Sequence, residues 1–228
     1  MSYRKAGKAI AGIFFPIALT LFVFALSLSQ VTQNGGLKDF FIGVLSSQVP
    51  QGVDKASIVD SFKAQCSGKE SMELDLGNET LFVQCSRILE SRTLEDAAGA
   101  IFDAQYARRY DCSFLDCARF VPAIIPTKQG NEIMTSLSYA FLALSALFGA
   151  MLVASLEGFG RITWLGVAIV SVGVLYFPLE YMPSVAGGLE TGIVRIFASN
   201  FFIVLCAGAA LAAVGLVFGL LKKKRQAQ

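Results

Sequence analysis

Chemistry in this sequence starts with its five cysteines. Cys66, Cys85, Cys112 and Cys117 form one group, and Cys206 stands far from them in an apolar stretch. An even group on the outer side of a membrane reads as a pair of disulfides, and four cysteines allow three pairings. Cys66–Cys85 with Cys112–Cys117 is the expected one, because an intervening hairpin returns Cys85 toward the helix that carries Cys66. Redox work is not expected of Cys112-Ser-Phe-Leu-Asp-Cys117. Its spacing is not that of a dithiol motif, and the chain has no histidine to tune a thiolate. The spacings match no zinc cluster either, so no metal and no cofactor is expected. Asn78-Glu79-Thr80 is an acceptor triplet for an N-linked glycan, placed at the tip of that hairpin.

Acid–base chemistry has little to stand on. Ionisable side chains inside a membrane mark proton relays and charged-substrate paths, and none lies deep in the apolar stretches of this chain. An enzyme is not expected. It would need Asp111, Asp116, Glu180, Arg108 or Arg109 to line a cleft, which their spacing does not require.

The elements that must position these residues follow from charge patterning. Of 228 residues, 54% are hydrophobic and 16% charged, against roughly 25% charged in a soluble domain. Residues 9–30, 133–156, 162–179 and 200–221 carry no charge at all. An apolar run of about 18 residues or more is long enough to cross a ~30 Å hydrocarbon core as a helix. Residues 1–29 also have the basic start of a signal peptide, but an apolar run this long exceeds the roughly 7–15 residues of a signal core. Retention is expected.

Orientation follows the basic residues. With the N-terminus inside, the inner segments hold Arg4, Lys5, Lys8, Arg161 and the run Lys222, Lys223, Lys224, Arg225 against the single acid Glu157, a net of +7. The first outer segment nets −4, and the second, with Arg195 against Glu180 and Glu190, nets −1. Both termini are therefore expected in the cytoplasm of a multi-pass cell-membrane protein. The 222–225 run anchors the C-terminal helix and is suited to anionic head groups. Nothing in the charge favours nucleic acid.

The expected fold is a mainly α membrane protein. A four-transmembrane-helix bundle is built from residues 1–30 and 133–228, and a small disulfide-stabilised α+β extracytoplasmic domain, 31–132, is inserted between helices 1 and 2. In that domain Leu37, Phe40, Phe41, Val44 and Leu45 repeat at helical spacing until Pro50. Asp54 is placed to cap a second helix whose inner face is Ile58, Val59 and Phe62. Residues 72–76 alternate as a strand, Gly77-Asn78 turns, and 80–85 returns. Thr93 and Asp96 have the spacing of a capping box for a third helix, buried through Ala97, Ile101, Phe102 and Tyr106.

Within the membrane part, Gly208, Ala212, Gly215 and Gly219 line one helical face and suit close helix packing, within a chain or between chains. Thr135, Ser138 and Ser145, with Thr20 and Ser27, form mildly polar faces that serve either helix packing or a pore. Pro16 is expected to kink the first span. The layout is similar to the claudin-like and connexin-like tetraspan architectures in topology alone. The only tryptophan, Trp164, lies in the third span, and the second outer segment has no cysteine, so no residue of either pattern carries over. The functional expectation is a homo-oligomeric tetraspan protein forming a channel or large pore with an outer docking domain. The alternative is an accessory or scaffold subunit that binds another membrane protein. Lipids and a protein partner, identical or not, are the expected contacts.

Overall fold

The computed structural model describes residues 3–33, 35–49, 52–75, 80–111, 126–156, 160–175, 178 and 191–226. It is mainly helical. In chain order the elements are α1 (Tyr3–Gln33), α2 (Gly36–Gln48), α3 (Lys55–Cys66), β1 (Ser71–Asp75), β2 (Thr80–Gln84), α4 (Cys85–Glu90), α5 (Leu94–Ala107), α6 (Lys128–Ser155), α7 (Gly160–Gly173) and α8 (Thr191–Gln226). They divide into two compact units, one of residues 1–30 with 133–228 and one of residues 31–132.

The first unit holds the long apolar helices. Ala9–Gln33, Lys128–Ser155 and Ile193–Leu221 are each long and apolar enough to cross a membrane, which marks a multi-pass membrane protein. Their exposed faces agree with lipid rather than water. On α1, Ile10, Ile13, Phe14, Ile17, Leu21 and Phe24 form an exposed apolar stripe, while Ala11, Phe15, Ala18 and Ala25 are buried. A helix in water has the opposite pattern, polar side out. The described part of α7 is shorter: its 14 residues extend about 21 Å at 1.5 Å per residue. Beyond it, residues 176, 177 and 179 of the apolar run 162–179 lie outside the described residues. α1 is helical through Pro16, and the Thr20 hydroxyl donates to the Pro16 carbonyl at 2.8 Å.

Two kinds of packing hold this unit. Around Ala11, Phe15, Leu152 and Leu156, bulky side chains of α1 and α6 meet Leu165 and Ile169 of α7. Phe14 stacks on Phe148 at 5.5 Å, and Phe15 lies so close to Gly149 that a Cβ there would come within 3.1 Å of its ring. The second kind, between α7 and α8, is a backbone approach over small residues.

The second unit has its own core. β1 and β2 pair antiparallel, with Met72 opposite Val83 and Leu74 opposite Leu81. Met72, Leu81 and Val83 turn inward and join Cys66, Cys85, Ile88, Ala97, Ala100 and Ile101. Gly68, with φ +74, makes the turn from α3 into β1 in a conformation that side-chain-bearing residues rarely adopt. The Asp54 side chain caps α3 by accepting from the Ala56 amide at 3.0 Å. Thr93 and Asp96 form the reciprocal capping box of α5. One element differs from expectation: the returning strand ends at Gln84, and Cys85 opens the six-residue α4. The alternation stops there because the buried Cys85 and Ile88 are three apart, a helical spacing.

Candidate functional site

In the second unit the Cys66 and Cys85 sulfurs are bonded, their Cα atoms 5.2 Å apart. Both residues are buried at the centre of the core, so the disulfide ties the end of α3 to the start of α4 beneath the strand pair. Cys112, Cys117 and Asn78 lie outside the described residues. The ends of the segment bearing Cys112 and Cys117 are drawn together by Gln129, whose side-chain amide accepts from the Tyr110 N–H at 2.8 Å and donates to the Tyr110 carbonyl at 3.1 Å. Asn131 donates to the Thr32 hydroxyl at 2.6 Å, and both residues are buried.

The same unit carries a charged groove of about 510 Å³ along α5. Asp103 stands at its centre, bridging Lys38 at 2.8 Å and Arg87 at 3.1 Å through its two oxygens. Gly99 leaves room for this arrangement, since a Cβ there would lie 3.2 Å from the Lys38 Cε. Further along, Glu95 receives Lys55 at 3.3 Å, and Glu90 and Asp96 complete the rim. Hydrogen bonds from its own backbone amide and from Lys55 hold the Glu95 carboxyl below the usual range. The amides of Arg92 and Thr93 do the same for Asp96. Both groups are therefore anions at neutral pH. They are unsuited to general-acid work but suited to electrostatic recognition. The wall of the groove carries two cations and four carboxylates, a negative excess, with Asp103 and Glu95 paired within the unit. Asp111, Arg108 and Arg109 do not line it, and Asp116 and Glu180 lie outside the described residues. Sequence reasoning missed the groove because its members come from α2, α4 and α5. The spacing of Arg87, Glu95 and Asp103 in sequence gives no hint of their meeting.

In the first unit the hydroxyl residues expected on a pore face all have hydrogen-bond partners within the chain. Ser27 is fully buried and donates to the Val23 carbonyl at 2.8 Å. Ser138 and Ser145, both buried, donate to the carbonyls of Thr135 and Phe141, each at 2.7 Å. Thr135 bonds Ser29 at 2.8 Å, and Thr20 is bound to Pro16. The centre of this polar layer is Asn200 on α8, whose amide donates to the Ser27 hydroxyl at 2.9 Å and to the Gln30 side chain at 2.8 Å. Asn200 and Gln30 were not among the residues singled out from sequence. Their signal was present, as two large amides near the ends of two apolar runs.

The small-residue face of α8 meets α7. A Cβ on Gly208 would lie 2.6 Å from the Val170 amide nitrogen, and one on Gly215 would lie 2.6 Å from that of Thr163. On the α7 side, a Cβ on Gly166 would run into the Ala212 backbone and one on Gly173 into Leu205. Thr163, Gly166, Val170 and Gly173 thus oppose Gly215, Ala212, Gly208 and Leu205 in antiparallel register. Gly219, the fourth member of the expected face, has open space around it. Cys206 is exposed on α8 as a free thiol. Among the described residues no three His, Cys, Asp or Glu side chains gather as metal ligands.

Compared with family models, with curated proteins and with solved structures, the chain matches none.

Proposed function

We propose that the chain crosses the membrane four times, with both termini on the cytoplasmic side, and acts as an accessory or scaffold subunit. Its 31–132 unit then stands outside and binds a basic segment of another protein in the groove around Asp103. The observation that carries this reading is the state of the span hydroxyls. Thr20, Ser27, Ser138 and Ser145 donate to carbonyls of their own helices and Thr135 meets Ser29 of α1, so each hydroxyl is satisfied without a water-filled axis. The fourth crossing is supported by the α7–α8 seam: α7 lies backbone to backbone against a helix of spanning length, and its apolar run continues past Gly173.

A homo-oligomer is the second reading, favoured by Gly219, whose open surroundings leave a place for a neighbouring helix. The mass of the full chain purified in mild detergent, followed by bilayer conductance, separates the two. A single-chain protein of 24.4 kDa without conductance supports the accessory subunit. A discrete homo-oligomer that conducts overturns it.

A further inference from the structure

The first unit contains an apolar groove of about 250 Å³, lined by Gly12 and Pro16 of α1, Leu152 of α6, Leu156 just beyond it, and Trp164 and Ser171 among the α7 residues. It exists because Gly12 has no side chain and nothing within 4 Å of where a Cβ would stand. From Trp164 to Ser171 it extends about 10 Å along α7, roughly a third of a hydrocarbon core. A groove of that depth takes part of one acyl chain.

What stands at its end decides the head group. Arg161, Trp164, Ala168 and Ser171 follow each other at spacings of three, four and three, one stripe of α7. Arg161 is one turn from Trp164, which is 57% exposed, the habit of an aromatic at a membrane boundary. The Arg161 Nε is buried and, among the described residues, has no hydrogen-bond partner. Its position is also unfavourable for the helix alone. Arg161 is the second residue of α7, where the macrodipole is positive and the first amides lack intrahelical acceptors. An anion there offsets both, and a guanidinium binds phosphate oxygens in a matching fork.

We infer that this is a binding site for one anionic phospholipid, its acyl chain in the groove and its phosphate on Arg161. The inference rests on the membrane placement of the first unit and is independent of any partner of the second.

Native mass spectrometry of the full chain in mild detergent tests it, with dioleoyl phosphatidylglycerol, dioleoyl phosphatidylcholine or inorganic phosphate added. One phosphatidylglycerol per chain is expected, with a preference of about fivefold over phosphatidylcholine, the worth of one basic residue near an anionic head group. Arg161→Gln is expected to abolish that preference. Gly12→Leu, or Ser171→Leu at an exposed position should the first fail to fold, is expected to lower retention of both lipids. Equal retention of the two lipids by the parent protein, or an Arg161→Gln variant that keeps the preference, overturns the site. So does displacement of bound lipid by phosphate alone, since the acyl chain would then contribute nothing. A chain that stays dispersed without detergent would instead refute the membrane placement.

Discussion

The Cys66–Cys85 disulfide closes a loop between positions 19 apart, at the centre of a core too small to be secure without it. In the chain-entropy view such a closure stabilises by about 3 kcal/mol. Cys66→Ser with Cys85→Ser is therefore expected to lower the stability of the 31–132 unit by roughly that amount, read as faster amide hydrogen exchange throughout α5 and the strand pair. Exchange confined to the loop would show that the core holds without the bond. Asp96 is a second point of control. Its carboxyl, held below the ordinary aspartate value of 3.8 by the Arg92 and Thr93 amides, contributes stability that is complete above that value. The contribution is lost as pH falls through the lower folded-state value. The first turn of α5 is expected to keep its exchange protection from pH 7 to about 5 and to lose it progressively below about 4, with Asp96→Asn flattening the decline. An unchanged acid profile in the variant would contradict the capping role. The side chains of the ion pairs around Asp103 are more than a third exposed, and that of Arg87 more than half, so each pair contributes at most about 1 kcal/mol.

Between elements, the seam of α7 and α8 makes a selective prediction. Gly208→Leu and Gly215→Leu place side chains where backbone atoms already stand, so each is expected to cost several kcal/mol and to lower the melting temperature in detergent. Gly219→Leu is expected to leave it nearly unchanged, because no atom lies near its would-be Cβ. Comparable losses at all three would contradict the seam. Hydroxyl and glycine patterns were legible in the sequence as faces, because helical spacing alone puts Gly208, Ala212 and Gly215 in one row. Which helix they face was not legible, since Thr163 and Gly166 become their neighbours only through the antiparallel register of α7. The capping residues Asp54 and Thr93 were legible because a cap is a local device. α4 was not: six residues after a strand carry too little periodicity to declare a helix. The charged groove escaped for the same reason as the register, being assembled from three elements.

At the scale of the whole molecule, the number of crossings governs the functional reading. Among the described residues three helices have spanning length, and α7 is the one in question. With three crossings the chain ends lie on opposite sides of the membrane; with four they share a side. The basic residues near both ends, Arg4, Lys5 and Lys8 and the 222–225 run, favour a shared cytoplasmic side. The most direct measurement is protease protection of epitope tags at the two termini, in sealed vesicles of known orientation, with Asp103 replaced by a labelled cysteine to report the 31–132 unit. Four crossings predict that both tags are cleaved from the cytoplasmic face while the reporter is labelled only from the other. Tags cleaved from opposite faces, or a reporter on the same side as the tags, would contradict it.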